Sequence, residues 1–229
     1  MSANTHSEVK KHHFDTLEQQ HASEKLGMWM FLATEVMFFA GLFVAYTAYR
    51  FWYPAEFEFA SSKLNWKFAT FNTLLLVTSS LTMTLAIRAA QLGNKAALYR
   101  NLLITAALGT AFMVVKGFEY AEDFHDHILP GKAFGGEIAK ETAEHGLNPG
   151  RVQLFLMFYY IMTGIHGVHL IIGIGCVLWL VLETYRGKMP PDNASTVEVV
   201  SLYWHLVDAI WLFLMPLLYL AGAGYGGHH

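Results

Sequence analysis

Five long apolar stretches, separated by polar segments, dominate the sequence. A helix needs about 20 apolar residues to cross the hydrocarbon core of a bilayer. Because lipid offers no hydrogen bonds to the backbone, each crossing segment has to be helical. The pattern therefore predicts an all-α integral membrane bundle of five transmembrane helices. The predicted spans cover residues 26–49, 68–87, 102–118, 152–182 and 199–221.

The polar segments between the spans differ in character. Residues 51–67 have the composition of an aromatic and charged loop, and residues 91–100 that of a tight polar turn. The acidic segment 121–150 is expected to hold a short surface helix, whereas a proline pair prevents a continuous helix across 184–197. No internal repeat is visible, so we predict one membrane domain. The predicted division is a polar N-terminal segment at 1–25, the five-helix domain at 26–222 and a C-terminal tail at 223–229.

The composition supports a membrane protein. Hydrophobic residues make up 54% of the chain and charged residues 14%, whereas a soluble domain usually carries about a quarter charged residues. The formal net charge of −3 gives no basic excess, so nucleic-acid binding is not expected. The single cysteine, Cys176, lies in an apolar run and excludes a disulfide framework or a thiolate metal cluster. No signal peptide is recognisable, so the first span is expected to stay in the protein.

The positive charges give the expected orientation. An N-inside arrangement places eight Lys and Arg residues inside and seven outside, and this small difference does not determine the orientation. However, basic residues are dense in the short turn 91–100 and diluted by acids in the long segment 121–150. Short loops weigh most in the positive-inside rule. The N-terminus is therefore predicted to be cytoplasmic and the C-terminus to lie on the other side.

Ionisable side chains are rare within the spans, and such groups are candidates for function. A rise of about 1.5 Å per residue places those of three spans at one common level, in the inner half of the bilayer. Glu35 is the strongest candidate for a proton-related role, since no basic residue shares its helix face. Glu119 falls outside that level, near the outer surface. The whole set comprises Glu35, His166, His169, His205 and Asp208, with Lys116, Glu119 and Glu183 near helix ends.

Two interpretations of these groups stay open. In the structural one, buried polar side chains pair and hold helices together, with His205 and Asp208 paired locally. In the chemical one, Glu35 exchanges protons. His166 and His169 share a helix face and could bind a metal. However, di-iron and haem sites also need ligands on a facing helix. His205 is the only other histidine within a predicted span that could supply one. Nearby glycines favour close helix packing instead: Gly164, Gly167, Gly173 and Gly175. Aromatic residues that flank the spans are expected to be interfacial anchors: Trp29, Trp52, Tyr53, Trp66, Trp179 and Tyr219.

Segments in every predicted span resemble subunit III of the haem–copper respiratory oxidases (the cytochrome c oxidase type). Residues 198–214 (EVVSLYWHLVDAIWLFL) are similar to the last helix of that family, and residues 163–170 (TGIHGVHL) to its penultimate helix. Residues 34–43 (TEVMFFAGLF) resemble the helix that carries a buried glutamate. Residues 72–76 (NTLLL) and 117–120 (GFEY) match two further segments. Five matches in order are highly specific, and they indicate the bacterial five-helix form, which lacks two N-terminal helices of the long form.

The resemblance implies an accessory subunit of a proton-translocating terminal oxidase that reduces O2 to water. Such a subunit holds no catalytic residue and no metal, because haem and copper belong to subunits I and II, its expected partners. It binds phospholipid, stabilises the catalytic subunit and supports proton uptake in the bacterial cytoplasmic (inner) membrane. A place in a respiratory supercomplex is also compatible with the resemblance. Residues 203–205 and 211–213 resemble the cytochrome c branch more than the quinol branch.

The resemblance also assigns roles to individual residues. Glu35 takes the position of the buried carboxyl that reacts with carbodiimides. A lipid-binding arginine of the family is replaced by Glu183, which leaves Arg186 as the candidate lipid contact. Intramembrane polar-network positions are Glu119, His166, His169, Glu198, Trp204, His205 and Asp208. The alternatives are a quinol oxidase subunit, a free-standing membrane protein with histidine-bound haem or metal, and a proton-coupled transporter that uses Glu35 and Asp208. Transporters of that kind usually show inverted repeats or broken helices, and we recognise neither in the sequence.

Overall fold

The described part of the chain is almost entirely helical. The computed structural model describes residues 17–126, 128–131, 134–187 and 194–222. Five helices are long and apolar enough to cross a membrane, namely α1, α3, α4, α6 and α7 as bounded below. The prediction of an all-α membrane bundle with five spans is therefore confirmed. In chain order the helices are α1 (Leu17–Trp52), α2 (Pro54–Ser62), α3 (Trp66–Gln91), α4 (Lys95–His125), α5 (Gly136–Glu144), α6 (Pro149–Tyr185) and α7 (Ala194–Tyr219).

Asparagine caps begin three of the spanning helices. The side chain of Asn65 accepts a hydrogen bond from the backbone of Lys67 at the start of α3, and Asn94 and Asn148 cap α4 and α6 in the same way. A cap satisfies backbone N–H groups that a helix start leaves open. The helices consequently extend beyond the apolar stretches that predicted them. The turn 92–94 is kept short because Gly93 adopts a φ of 67°, which favours glycine.

Four helices form the core and the fifth lies against its side. α3 packs against α4 and α7, and both of these pack against α6, whereas α1 contacts mainly α6, α7 and the short α2. Only 11% of the most apolar segment of α1 is buried within the protein, compared with 56% of the corresponding segment of α7. α7 is therefore central to the fold, and most of α1 faces the surroundings. Large core side chains include Trp204, Trp211, Tyr159, Phe112 and Met83.

Two glycines let neighbouring helices approach the indole of Trp204. A Cβ atom on Gly109 of α4 would lie 2.6 Å from Trp204 Cη2, and one on Gly173 of α6 would lie 3.2 Å from Trp204 Cε3. The predicted close packing is thus confirmed at Gly173. Within the described chain it is not found at Gly164 and Gly175, where an added Cβ would have no heavy atom within 4 Å, and Gly167 makes only an ordinary contact, with Met113 Cε 3.8 Å from an added Cβ.

The short helices α2 and α5 cover one end of the bundle, which we call the loop end; the opposite end, with the turn 92–94, is the turn end. α5 confirms the short helix predicted within 121–150. α2 corrects the prediction of a loop at 51–67, because Pro54–Ser62 is helical. Phe57 and Phe59 of this helix are both buried. An ion pair of 3.0 Å between Arg151 and Glu56 fastens α2 to the start of α6.

Candidate functional site

Glu35 and His169 form a polar contact between α1 and α6. Glu35 Oε2 lies 2.9 Å from His169 Nε2, and the other ring nitrogen, Nδ1, lies 2.8 Å from the carbonyl oxygen of Ile165. Phe39 packs edge-on against the imidazole, with ring centroids 5.4 Å apart. The Tyr203 hydroxyl donates to the backbone oxygen of His169 over 3.0 Å, which brings α7 to the same level. The sequence placed no basic residue on the face of Glu35, and the structure supplies one from another helix.

The Glu35–His169 contact contains one transferable proton. A carbonyl oxygen can only accept, so His169 Nδ1 carries the hydrogen that it donates to Ile165. The remaining contact needs one further proton between Nε2 and Oε2. Either a carboxylic acid donates to a neutral imidazole, or an imidazolium donates to a carboxylate. Both forms have zero net charge, which lowers the cost of burial for the pair.

Glu35 is the most accessible of the three carboxyl groups compared within the spans. Its side chain is 19% exposed and that of His169 is 16% exposed. The Glu119 side chain is only 2% exposed, and Asp208 is 5% exposed. Of these three carboxyl groups, only that of Glu35 is therefore not enclosed in the core of the described chain.

His166 points away from His169, although the two residues are only three positions apart on α6. It is 1% exposed, and its ring lies between Phe112 and Trp211, with centroid distances of 5.9 and 5.3 Å. Neither ring nitrogen has a hydrogen-bond partner among the described residues. The two histidines thus serve different helix interfaces and do not converge on one ligand.

His205 and Asp208 do not form the predicted local pair. His205 Nδ1 lies 2.8 Å from the Ser80 hydroxyl of α3. That hydroxyl also faces the Asp208 carboxylate, but neither carboxylate oxygen has a hydrogen-bond partner within the described ranges. The prediction was wrong because i,i+3 spacing permits contact between two side chains but does not require it. α7 packs against α3, and His205 contacts Ser80 of α3 instead of Asp208.

Two indoles fasten α7 to α3. Trp204 Nε1 donates to Ser79 Oγ over 3.1 Å, and Trp211 Nε1 donates to Thr73 Oγ1 over 3.1 Å. Both tryptophans are 0% exposed, so their N–H groups would be costly to leave unpaired. Trp204 is thus a packing residue with a satisfied hydrogen bond.

A second polar cluster, which sequence reasoning did not assemble, lies inside the loop end of the bundle. Lys116 Nζ donates to Glu119 over 3.0 Å, to Tyr159 over 3.0 Å and to Tyr219 over 2.5 Å. Tyr159 in turn donates to Glu119 Oε1 over 2.8 Å. Each of these four residues is at most 5% exposed. We call Lys116, Glu119, Tyr159 and Tyr219 the loop-end cluster; it joins α4, α6 and α7.

The loop-end cluster reaches Asp123 through Tyr159, whose hydroxyl lies 3.5 Å from Asp123 Oδ2. Tyr160 donates to Asp123 Oδ2 over 3.0 Å. Tyr219 corrects a prediction: it is not an interfacial anchor but a buried residue, 3% exposed. The available signal was a lysine and a glutamate three residues apart at a span end, with tyrosines at matching depth on two other spans.

The remaining predicted site residues lie at the turn end. Glu198 Oε2 is 2.7 Å from Lys25 Nζ, and Gln91 Nε2 donates to Glu198 Oε1 over 3.1 Å. Glu198 therefore links α1, α3 and α7. Arg186 has a side chain that is 58% exposed and lies 3.9 Å from Glu183, which leaves its guanidinium accessible at the membrane surface.

The three histidines within the predicted spans, His166, His169 and His205, do not converge on one ligand site. Among the described residues there is no group of three or more His, Cys, Asp or Glu side chains that could hold a metal ion. The ring of His166 is enclosed by aromatic residues, and His205 is bonded to Ser80. A bis-histidine haem needs two imidazoles that face each other across the porphyrin plane, whereas His166, His169 and His205 each contact a different set of side chains.

Comparison with known proteins identifies the family. The family model described as "Cytochrome c oxidase subunit III" matches residues 5–148 and 152–223. A "Probable cytochrome c oxidase subunit 3" of Nocardia farcinica is 31% identical over 194 residues, which covers 85% of this chain and 86% of that protein. A "Cytochrome c oxidase subunit 3" of Alkalihalophilus pseudofirmus is 30% identical over 199 residues, covering 87% of each chain. One of Synechocystis sp. is 31% identical over 198 residues, covering 85% of this chain and 74% of the relative. The family model spans all five long apolar helices, and the chain belongs to the cytochrome c oxidase subunit III family.

Proposed function

We propose that the chain is the accessory, cofactor-free subunit III of a terminal oxidase that takes electrons from cytochrome c, reduces O2 to water and translocates protons. Subunits I and II are the proposed partners, and their haem and copper supply the redox chemistry. Membership of the family supports a place in an oxidase complex. The relatives are named as cytochrome c oxidase subunits, which favours cytochrome c over quinol as the donor. The proposed location is the bacterial cytoplasmic membrane, with the turn end on the cytoplasmic side.

The observation that carries the proposal is the Glu35–His169 pair. A carboxyl and an imidazole lie 2.9 Å apart within two predicted spans, and a hydrogen bond between them requires one shared proton. Both side chains are partly exposed, at 19% and 16%, so the proton is not sealed in the core. A group of this kind can accept and return a proton beside a neighbouring subunit, which supports a role in proton uptake rather than in electron transfer.

The exposed surface of α1 supports binding to a partner subunit and to phospholipid. Several of its large apolar side chains are at least 60% exposed, including Trp29, Met30 and Met37. A neighbouring oxidase subunit and acyl chains are the proposed partners of this surface. At the turn end, the exposed guanidinium of Arg186 is the proposed contact for a phospholipid headgroup, since arginine binds phosphate oxygens in a bidentate manner.

Carbodiimide labelling of the purified oxidase tests the role of Glu35. Addition of the carboxyl to dicyclohexylcarbodiimide, followed by rearrangement, leaves an N-acylurea on the residue. Glu35→Gln is expected to abolish labelling of this subunit, whereas Glu198→Gln at the turn end is the matched control and should leave it intact. His169→Leu should label at least as fast as the native protein, because the imidazole that contacts the Glu35 carboxyl is then removed. Persistent labelling in Glu35→Gln would contradict the assignment.

Oxygen consumption tests the electron donor and the accessory role. Membranes with the complete complex should consume O2 with reduced cytochrome c, and a preference for a quinol would contradict the proposed donor. Membranes without this chain should retain initial activity but lose it faster during sustained turnover. Complete loss of initial activity, with subunits I and II still assembled with their haem and copper, would contradict an accessory role.

A further inference from the structure

Two polar side chains in the middle of the four-helix core lack hydrogen bonds to the described chain. Asn72 of α3 is 0% exposed and His166 of α6 is 1% exposed. All four of their side-chain nitrogen and oxygen atoms are buried and unpaired. Buried polar groups in proteins are almost always paired, either with protein or with ordered water. Their partners must therefore be sought within the core.

Contacts of Trp211 place the two side chains at a similar level of the bundle. The Trp211 ring lies 5.3 Å from the ring of His166. Its Nε1 atom donates over 3.1 Å to Thr73, the residue that follows Asn72. A single residue of α7 thus contacts His166 directly and α3 next to Asn72.

The register of α3 on α4 independently places Asn72 within about one helical turn of His166, because Phe112, which contacts His166, lies opposite position 75 in this register. Thr82 of α3 and Thr105 of α4 are hydrogen-bonded over 2.7 Å, and the two helices are antiparallel because only the turn 92–94 joins them. Ten residues back along α3 is position 72 (82 − 10), and ten residues forward along α4 is position 115 (105 + 10). Asn72 therefore lies opposite the residue before Lys116, which belongs to the loop-end cluster.

Two described donors near this level, Lys116 and Trp211, already use their hydrogens. Lys116 has three ammonium hydrogens and makes three hydrogen bonds within the loop-end cluster. Trp211 has one indole hydrogen, which Thr73 accepts, and Phe112 has no polar atom. A cation is an unsuitable partner for His166 and Asn72, because one imidazole and one amide are few ligands and the Lys116 charge is close. Water, as both donor and acceptor, suits both side chains.

We propose that one or two ordered water molecules bind between His166 and Asn72, where α3, α4, α6 and α7 meet. A neutral imidazole offers one donor and one acceptor, and the amide offers two donors and one acceptor. A buried water usually makes about three hydrogen bonds, so this pair can hold it firmly. The water extends the loop-end cluster inwards and makes the centre of the bundle polar. This site does not rest on the proposed electron donor or on Glu35.

A density map of the complete oxidase at a resolution that shows ordered water tests the site directly. The expected result is water density at about 2.6–3.2 Å from a ring nitrogen of His166 and from the Asn72 amide. Two results would overturn the proposal. One is a direct hydrogen bond between either side chain and a protein group, and the other is ordered side chains with no density between them.

A double-mutant cycle in the assembled complex tests whether the two residues share the water. Asn72→Leu and His166→Leu should each lower the unfolding temperature, and the double variant should lose clearly less than the sum of the two shifts. Asn72→Leu combined with Thr105→Val is the control pair. Thr105 is also buried and polar, but it lies about ten residues along the helices from this site, so the shifts should add. Additive shifts for Asn72 and His166 would overturn the shared water.

Discussion

Replacement of Lys116 by methionine removes one charge and three hydrogen bonds from the loop-end cluster. Methionine has a similar length, so the main change is electrostatic. Glu119 then keeps only its tyrosine partners, in a site where its side chain is 2% exposed. Removing one partner of a buried ion pair usually costs about 3–5 kcal/mol, because the other charge is left uncompensated. We expect Lys116→Met to lower the free energy of unfolding by about that amount.

The double variant Lys116→Met/Glu119→Gln separates the charge effect from the packing effect. With both charges removed, no uncompensated ion remains in the core, and replacing a whole buried pair is often nearly neutral. The double variant should therefore be more stable than Lys116→Met alone. Lys67→Met, at an exposed lysine of α3, is the matched control and should stay within about 0.5 kcal/mol of the native protein.

Thermal unfolding of the detergent-purified complex, followed by tryptophan fluorescence, measures these changes. Trp211 is a suitable probe because Lys116 Nζ lies 5.6 Å from its ring. One kcal/mol corresponds to about 2–4 °C for a chain of this size, so Lys116→Met should unfold roughly 6–20 °C earlier. A native-like unfolding temperature for Lys116→Met, or a double variant no more stable than the single one, would refute the reasoning.

Two further substitutions test the packing of α7. Gly109→Ala should lower the free energy of unfolding by about 1–3 kcal/mol, because the new Cβ would overlap the Trp204 ring at 2.6 Å. Gly41→Ala is the control, since an added Cβ there has no atom within 4 Å, and it should not lower the unfolding temperature in the same assay. Equal losses of stability in the two variants would contradict the close approach of α4 to Trp204. Glu198→Gln should change stability by less than about 1 kcal/mol, since its ion pair with Lys25 is solvent-accessible at side-chain exposures of 27% and 47%. A larger loss that persists in high salt would show that Glu198 supports more than a surface ion pair.

The five spans could be predicted because a membrane crossing requires a long apolar run whatever the tertiary structure. The ends of the helices were harder, since caps such as Asn65 and Asn94 extend α3 and α4 into polar sequence. α2 was missed for a related reason. Its residues 54–62 (PAEFEFASS) lack a clear helical period, and the helix is stabilised by burying Phe57 and Phe59 against the bundle.

The partners of the polar residues could not be predicted, because they come from distant parts of the chain. His169 meets Glu35 across 134 residues, and Ser80 meets His205 across 125. Spacing within one helix shows which groups share a face, but it does not show which facing helix competes for them. The Asp208 carboxylate was expected to pair with His205 for this reason, and the packing of α3 against α7 decided otherwise.

Tyr219 is a second residue whose contacts could not be predicted from its position in the sequence. A tyrosine at a span end is usually an interfacial anchor, and only the tertiary structure shows that this one faces Lys116 and Glu119. Four of the predicted aromatic anchors are at least 50% exposed: Trp29, Trp52, Trp66 and Trp179. Exposure therefore agrees with an outward-facing position for these four residues, whereas Tyr219 is buried in the core.

The central claim, that the chain is a cofactor-free subunit of a cytochrome c-linked oxidase, is tested most directly by purification in mild detergent through a tag on this chain. Mass spectrometry should find oxidase subunits I and II, and the optical spectrum and metal content of the complex should show haem and copper. After dissociation, the chain itself should be colourless and free of metal. A chain that purifies alone and retains its own haem or metal would contradict the claim and would assign function to its histidines.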